Sequence, residues 1–109
     1  MQPLYNPELK TLRVTIPGDV LSTNAETLRR DITAALNNSA PNTLNVLELD
    51  LRAARMVDSA GLNLIVSLVR AASQRSCRIR ALVENTNVQR TFLFTRLDRY
   101  LELVTPTQE

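Results

Sequence analysis

The order of strand-like and helix-like segments constrains this chain more than any other feature. Three segments, 9–16, 44–51 and 77–84, alternate apolar with polar residues, as half-buried strands do. Segments with helical periodicity separate them, and a short closing segment follows at 97–104. Because the helices are long enough for crossover connections, this order predicts an α/β fold with a mixed, mostly parallel sheet of about four strands.

The polar side of the strand segments indicates how the helices are placed. In the second segment, Leu47, Leu49 and Leu51 alternate with Glu48 and Asp50. Parallel sheets that are covered on both faces usually have continuous apolar strands instead. We therefore expect the helices to pack mainly on one face of the sheet, with Glu48 and Asp50 on a strand face that meets solvent.

Two of the three predicted helices begin with capping-box spacing. In this motif a threonine and a residue three positions later satisfy free N–H groups of the first turn. Thr23 and Glu26 predict the start of a first helix that fades over 37–41. Thr86 opens the same spacing and predicts a third helix over about 87–95. The apolar stripe of the first helix consists of Leu28, Ile32, Ala35 and Leu36.

The second helix begins within the segment Val-Asp-Ser-Ala-Gly-Leu at 57–62. Asp58 and Ser59 are both helix-capping residue types, because a short side-chain oxygen accepts a hydrogen bond from the first turn. We expect Ser59 at the positive end of the helix, within reach of solvent. There its hydroxyl serves as a cap only, or it accepts a phosphate, since helix starts favour anions. The apolar stripe that anchors this helix consists of Leu62, Ile65, Leu68, Val69 and Ala72.

Length and composition bound the class of protein. A chain of 109 residues suits a single domain, with a core expected over about 9–104 and frayed residues at 105–109. The formal net charge is +2 and the basic residues are scattered among acidic ones, which argues against binding to nucleic acid or a membrane surface. Cys77 is the single cysteine, and neither a secretory signal nor a membrane-spanning segment is visible, so we expect a cytoplasmic protein.

The residue types that the sequence lacks argue against catalysis. It contains no histidine and one cysteine, which removes Ser-His-Asp and Cys-His arrangements and argues against a zinc or transition-metal site. Gly18 and Gly61 are the only glycines, so neither a dinucleotide fingerprint nor a P-loop is present. We expect no cofactor, no metal and no enzymatic activity; the alternative is an enzyme that uses Ser59 or the pair Glu48 and Asp50.

The motifs together resemble those of a known family. The first helix carries Asn-Ala-Glu-Thr-Leu at 24–28, and the second strand Leu-Glu-Leu-Asp-Leu at 47–51. With Val-Asp-Ser-Ala-Gly-Leu at the second helix and Phe-Thr-Arg-Leu-Asp-Arg-Tyr-Leu at 94–101, the pattern is similar to the STAS domain, and within it to the bacterial anti-sigma-factor antagonists. The resemblance covers about 9–104, and its most specific element is the Asp-Ser-x-Gly start of the second main helix.

This resemblance implies a partner-switching role for the start of the second helix. In such antagonists the serine that aligns with Ser59 is phosphorylated by an anti-sigma factor that is also a serine kinase with a histidine-kinase-like ATPase fold, and a PP2C-type phosphatase is expected to reverse it. The unphosphorylated form binds the partner and frees the sigma factor; the phosphorylated form does not bind. The residues that the resemblance assigns to partner binding and recognition of the phosphorylation site are Asp19, Asp58, Ser59, Ala60, Gly61 and Asn63.

One departure from the family pattern lies in the loop after the first long strand. The family often has Gly, an acid, Leu and Asp there, whereas this chain has Leu21 at the fourth position after Gly18 and Asp19. The alternative function on the same fold is a STAS accessory subunit without a phosphorylation switch, in a lipid-transport ATPase complex or a stressosome-like scaffold. The partner distinguishes the two functions, because a histidine-kinase-like ATPase domain favours the antagonist and an ABC-type ATPase favours the accessory subunit.

Overall fold

The computed structural model describes residues 3–39 and 44–106, and within these ranges strands and helices alternate. The third helix is followed by a single 3-10 turn at Leu97–Arg99. The elements are β1 (Leu4–Asn6), β2 (Thr11–Thr15), α1 (Ala25–Ser39), β3 (Val46–Asp50), α2 (Ser59–Gln74), β4 (Arg78–Leu82), α3 (Thr86–Phe94) and β5 (Glu102–Val104).

The strands form one sheet in the order β1-β2-β3-β4-β5. β1 pairs with β2 in antiparallel orientation, and β2 to β5 are parallel to their neighbours. The predicted α/β class with a mixed, mostly parallel sheet is therefore confirmed, with five strands where about four were expected. The sequence pattern did not indicate β1, which is a three-residue edge strand between Pro3 and Pro7, and an edge is where a sheet tolerates proline nearby.

One face of the sheet carries the hydrophobic core. The strand register aligns Leu12 with Leu47 and Ile79 in one row, and Val14 with Leu49 in the next. These side chains form one buried cluster with residues of all three helices, which confirms that the helices pack on one face. The helical members that lie deepest in the cluster are Ile32, Leu36, Ile65, Leu68, Ala72, Val88 and Phe92.

The other face of the sheet is polar, but its central acids are not exposed to solvent as the sequence analysis expected. Glu48 and Asp50 are each only 6% exposed. Arg13 of β2 and Arg80 of β4 stand beside Glu48 in the register and both pair with it, and Arg52 binds Asp50 through two nitrogens at 2.8 and 2.9 Å. The prediction was wrong because arginines from neighbouring positions cover these carboxylates where no helix does.

This pairing bears on whether the acids are catalytic. The Arg52 guanidinium holds the pKa of Asp50 below its ordinary value, chiefly through its side-chain hydrogen bonds. A carboxylate that stays ionised and bound to an arginine is poorly suited to exchange protons near neutral pH. The arrangement favours a structural role, in which Glu48 and Asp50 neutralise cations on the uncovered face.

The helix limits agree with the predicted ones within about two residues, but two caps differ. Asn85, not Thr86, caps α3 by accepting hydrogen bonds from two N–H groups, and α1 starts at Ala25 after a turn built on Asn24. Glu26 pairs with Arg29 along the helix instead of closing a capping box. The predicted fading over 37–41 and fraying over 105–109 fall partly on residues 40–43 and 107–109, outside the described residues.

The buried stripe of α2 is rotated slightly from the predicted one. Leu64 is 4% exposed and belongs to the core, although the predicted stripe omitted it. Leu62 and Val69, which the stripe included, are only half-buried. Ile65, Leu68 and Ala72 are buried as expected. The rotation turns the exposed side of the first turn, with Ser59 and Asn63, away from the sheet.

Candidate functional site

Two loops meet at the edge of the sheet where the parallel strands end. One loop leads from β2 to α1 and the other from β3 to α2, and Val20 bridges Val57 in parallel between them. The Val20 N–H donates to the Met56 carbonyl at 3.1 Å, and the Asp58 N–H donates to the Val20 carbonyl at 3.2 Å. The carboxyl ends of neighbouring parallel strands thus place the first turn of α2 against the preceding loop.

Asp58 uses both of its carboxylate oxygens to fix this arrangement. It is the N-cap of α2, and its Oδ1 accepts the Gly61 N–H at 2.9 Å. Its Oδ2 accepts the Ser22 N–H of the other loop at 2.9 Å. These backbone hydrogen bonds, that from Gly61 first, hold the pKa of Asp58 below its ordinary value. Asp58 therefore remains ionised at neutral pH and serves as both a helix cap and a link between loops.

Asp19 also links the two loops, through a second set of hydrogen bonds. Its Oδ1 accepts the N–H groups of Arg55 at 2.7 Å and Met56 at 3.1 Å. Its backbone carbonyl accepts the side-chain amide of Asn24 at 2.8 Å. Asp19 is 36 positions before Arg55 in the chain, yet the two are in direct contact. The predicted site residue Asp19 therefore lies at the same pair of loops as Asp58.

Leu21 occupies the position where the family often has a second acid. It is half-buried, and its N–H donates to the side-chain oxygen of Asn24 at 2.9 Å. The Leu21 carbonyl accepts the N–H groups of Asn24 and Ala25. The loop is therefore shaped by Asn24, so the missing acid does not leave the turn without a polar partner.

Gly61 is required by a close approach between α2 and the loop before α1. A Cβ atom at this position would lie 2.3 Å from the Val20 carbonyl oxygen and 2.9 Å from Cγ1 of Val57. Both distances are shorter than van der Waals contact, and the first is to backbone that cannot rotate away. Gly61 therefore acts through packing, and its backbone N–H is also the one that Asp58 caps.

Ser59 differs from these neighbours because its hydroxyl makes no hydrogen bond to any residue that the structure describes. It is the first residue of α2, and its side chain is exposed, as predicted. Within residues 3–39 and 44–106 its Oγ has no hydrogen-bond partner. The helix start favours an anion at this place. The Ser59 hydroxyl is therefore accessible to solvent, whereas the cap is supplied by Asp58.

Ala60 and Asn63 lie on the neighbouring surface of α2, toward α1. Ala60 is half-buried and Asn63 is exposed. They line a shallow groove of about 380 Å³ between the first turns of the two helices. The other residues that line the groove are Ser22, Ala25, Glu26, Arg29, Leu64 and Ser67. The structure thus brings the six predicted site residues to one end of the molecule.

Met56 is a residue of this surface that the sequence analysis missed. Its side chain is 57% exposed in the loop just before α2, although its backbone is held by Asp19 and Val20. A single exposed apolar side chain is ordinary on a protein surface, so Met56 bears on the site through its position beside the start of α2. The signal in the sequence was a methionine in a short loop between Arg55 and the capping Asp58.

Neither a metal-binding cluster nor a membrane-spanning helix is present in the part of the chain that the structure describes. No group of three or more His, Cys, Asp or Glu residues in that part is placed to hold a metal ion. None of its helices combines the length and the apolar character that crossing a bilayer requires.

The fold is shared with known proteins. A Thermotoga maritima protein assigned to the anti-sigma factor antagonists superposes with a TM-score of 0.80 at 19% identity, over 94% of this chain and 83% of that one. An anti-sigma factor antagonist of Mycobacterium paratuberculosis gives 0.76 at 21% identity, over 96% and 85%. The antagonist SpoIIAA in its unphosphorylated form gives 0.74 at 18% identity, over 98% and 90%.

The sequence comparisons place the chain in a family. No curated protein sequence matches it. The family described as "Mlab, STAS domain" matches residues 5–105, nearly the whole chain. The resemblance drawn from the sequence motifs is therefore confirmed at the level of the family, and the chain belongs to the STAS domain family.

Proposed function

We propose that the protein is a cytoplasmic anti-sigma-factor antagonist without catalytic activity of its own. Its unphosphorylated form binds an anti-sigma factor that is also a serine kinase, and this releases the sigma factor. Phosphorylation of Ser59 by that kinase abolishes binding, and a PP2C-type phosphatase restores it. The likeness of the fold to several anti-sigma factor antagonists supports the general role.

The observation that carries the proposal is the contrast between Ser59 and its neighbours. Asp58 and Gly61 are committed to capping and packing, whereas the exposed Ser59 hydroxyl has no partner in the described part of the chain. A phosphate on this oxygen breaks no hydrogen bond of the fold. The modification is therefore expected to change the surface and to leave the structure beneath it intact.

The charge at this surface explains how a phosphate acts as a switch. A phosphoserine adds about −1.5 to −2 charges at neutral pH. The charge is added next to the ionised Asp58, each of whose oxygens already accepts a backbone N–H. The helix dipole partly offsets the repulsion. A partner surface that fits a neutral hydroxyl would then face two adjacent negative groups, which disfavours binding.

The docking surface in this proposal surrounds Ser59. Met56 supplies an exposed apolar anchor on one side, and Ala60 and Asn63 border the groove between α1 and α2 on the other. Asp19 and Asp58 hold the backbone that carries these residues. Because the loops are cross-linked by hydrogen bonds, we expect the surface to bind without large rearrangement.

Binding measurements with two Ser59 variants test the proposal. The protein is titrated with the purified serine-kinase anti-sigma factor from the same genome, by calorimetry, with ADP present. Ser59→Ala should bind within about threefold of the unaltered protein and should not be phosphorylated with ATP. Ser59→Asp should lose at least about 100-fold in affinity, since like charges placed together at an interface cost several kcal/mol.

A charge elsewhere on the same edge provides the matched control. Asn87 is exposed in the first turn of α3, so Asn87→Asp adds a negative charge at a helix start as Ser59→Asp does. It should change the affinity by less than about threefold. The proposal fails if Ser59→Ala and Ser59→Asp bind the kinase equally well, or if phosphate is found on another serine.

The accessory subunit remains the second candidate because the matching family is described by Mlab and not by an antagonist. In that function the same surface binds a partner constantly, and Ser59 is only the first residue of a capped helix. Affinity purification from the native cells followed by mass spectrometry separates the candidates. An ABC-type ATPase as the main partner, with no phosphate on Ser59 under any growth condition, supports the accessory subunit.

A further inference from the structure

A second surface feature lies at the opposite edge of the sheet. A cleft of about 770 Å³ opens beside the first residues of β3 and β4, Val46 and Arg78, and the last turn of α2. Ser59 follows the other end of β3, and a five-residue strand is about 16 Å long. We call this feature the basic cleft, and its polar lining includes Ser73, Ser76, Arg78, Arg80, Arg99 and Tyr100.

The cleft carries positive charge that the fold does not neutralise. Arg78 and Arg99 are exposed, and neither makes an ion pair with any residue in the described ranges. Arg80, in contrast, is bound by Glu48 at 3.1 Å and by Glu102 at 3.0 Å. Among the described residues, Glu102 is the one acidic residue that lines the cleft, and it accepts a hydrogen bond from Arg80. Two guanidinium groups are thus left to face solvent.

The remaining lining suits a peptide-like ligand. Tyr100 is 69% exposed and offers an aromatic ring with a hydroxyl. Val69 and Leu101 supply apolar surface, and Ser73 and Ser76 supply hydroxyl groups. Arginine forks bind carboxylates through two parallel hydrogen bonds, and tyrosine is among the residues enriched where proteins bind each other. The lining therefore combines groups that recognise carboxylates with an apolar and aromatic surface.

We propose that the basic cleft is a second docking site, which binds an acidic segment of a partner protein through Arg78 and Arg99, with Tyr100 as its aromatic contact. The occupant is not a second copy of this chain in a symmetric dimer. A two-fold contact uses the same surface on both copies, so the unpaired arginines of one cleft would face those of the other. The cleft and the surface around Ser59 lie at opposite ends of β3, so both accept partners at once. This inference does not depend on the phosphorylation of Ser59.

An NMR titration of the ¹⁵N-labelled full chain tests the proposal. The probe is a blocked hexapeptide of alternating Glu and Leu, and the comparison probe has Lys in place of Glu. The Glu peptide should shift the amide signals of Ile79 and Tyr100, and the Lys peptide should not. The double variant Arg78→Gln/Arg99→Gln should weaken binding of the Glu peptide at least tenfold, while Ser59→Asp should leave it unchanged.

A matched double variant controls for total charge. Arg30→Gln/Arg90→Gln removes two positive charges from exposed positions on α1 and α3, outside the cleft, and should retain binding within about twofold. The amide spectra of both double variants report whether each is folded. Equal weakening by the two double variants, or shifts spread over arginines outside the cleft, would overturn the proposal.

Two further probes exclude other occupants. Inorganic phosphate at the same anion concentration should compete weakly, and vesicles of phosphatidylglycerol should not bind. Phosphate that displaces the Glu peptide completely at equal concentration would show a free-anion site instead. Vesicle binding that is lost in Arg78→Gln/Arg99→Gln would assign the cleft to an anionic membrane surface, and either result would contradict the proposed peptide partner.

Discussion

The two ends of α2 are built in opposite ways. At its first turn, Asp58 engages both oxygens and Gly61 lies directly on the Val20 carbonyl. Just after its last turn, the exposed Ser76 has a left-handed backbone with φ of 55°, a conformation that glycine adopts more readily. The first end is fixed by side chains from two loops. The other is fixed chiefly by backbone hydrogen bonds, with one side-chain contact in which the Arg75 guanidinium donates to the Leu36 carbonyl at 3.0 Å.

The two ends of α2 differ in how closely their conformation depends on individual side chains. The Ser59 end carries the surface that we propose a kinase recognises, and there each structural residue has a defined contact that a substitution would remove. The other end closes with the N–H of Cys77 bonded to the Ala72 carbonyl at 2.8 Å and that of Ser76 to the Ser73 carbonyl at 3.2 Å. This is the Schellman arrangement, whose left-handed position is usually occupied by glycine.

The largest loss of stability is expected at the Ser59 end of α2. Gly61→Ala places a methyl group 2.3 Å from the Val20 carbonyl oxygen, so α2 or the loop must move. Inserting a methyl into a packed contact typically costs about 1–3 kcal/mol, and the short distance to backbone favours the upper part of that range. We expect the free energy of unfolding to fall by about 2–3 kcal/mol in urea titrations followed by circular dichroism.

Gly18 provides the matched control for this variant. A Cβ atom there would have nothing within 4 Å, and its φ is not in the left-handed region. Gly18→Ala should change the free energy of unfolding by no more than about 0.5 kcal/mol. Equal stability of the two variants would mean that the close approach of α2 to Val20 does not limit the side chain at position 61. The Ser59 end of α2 would then tolerate substitution as well as the other end does.

Much of the Ser59 end of α2 could be predicted from the sequence, because the residues that form it are close together in the chain. Asp58, Ser59 and Gly61 lie within one turn, so capping and the start of α2 follow from neighbouring residues. The capping-box spacing, which is also a local signal, gave the wrong caps for α1 and α3. In the structure the neighbouring Asn24 and Asn85, not Thr23 and Thr86, accept the backbone N–H groups at these places.

The parts that could not be predicted depend on distant residues. Glu48 is buried because Arg13 and Arg80, which are 35 and 32 positions away, stand beside it in the sheet register. An alternating strand pattern contains no information about such partners. The links from Asp58 to Ser22 and from Asp19 to Arg55 are long-range in the same way, which is why Asp19 was assigned to the site only through the family resemblance.

The contribution of the Asp58 charge to the stability of the Ser59 end of α2 can be measured by its pH dependence. Its folded pKa lies below the ordinary value, so the stability that it provides is present above the unfolded pKa near 4 and is lost as the pH falls through the folded pKa. Asp58→Asn should therefore have a lower Tm than the unaltered protein at pH 7. The difference should shrink progressively below about pH 4, measured by thermal unfolding from pH 7 to pH 2.5.

Asp31→Asn is the control for this titration. It removes one carboxylate from an exposed position on α1 that is not part of the linked loops. Its Tm at pH 7 should stay close to that of the unaltered protein. A Tm difference for Asp58→Asn that is the same at pH 7 and pH 2.5 would mean that the charge of Asp58 does not matter, and that its role is that of any capping oxygen.

The smallest effect is expected at the other end of α2, and it has the opposite sign. Ser76→Gly relieves a left-handed backbone, which costs a non-glycine residue roughly 1–2 kcal/mol, while the greater freedom of glycine in the unfolded chain offsets part of the gain. We expect an increase of about 0.5–1 kcal/mol in the free energy of unfolding, measured in the same urea titrations.

Ser73→Gly makes this last prediction specific to backbone conformation. Ser73 is three residues earlier, inside the last turn of α2, and is also exposed beside the basic cleft. There glycine should lower the free energy of unfolding by about 0.5–1 kcal/mol, because a helical position gains nothing from left-handed freedom. Opposite signs for one chemical change, three residues apart, would establish that Ser76 is limited by its backbone angle. Equal signs would mean that loss of the hydroxyl dominates, and the end of α2 would then be fixed by side chains as its start is.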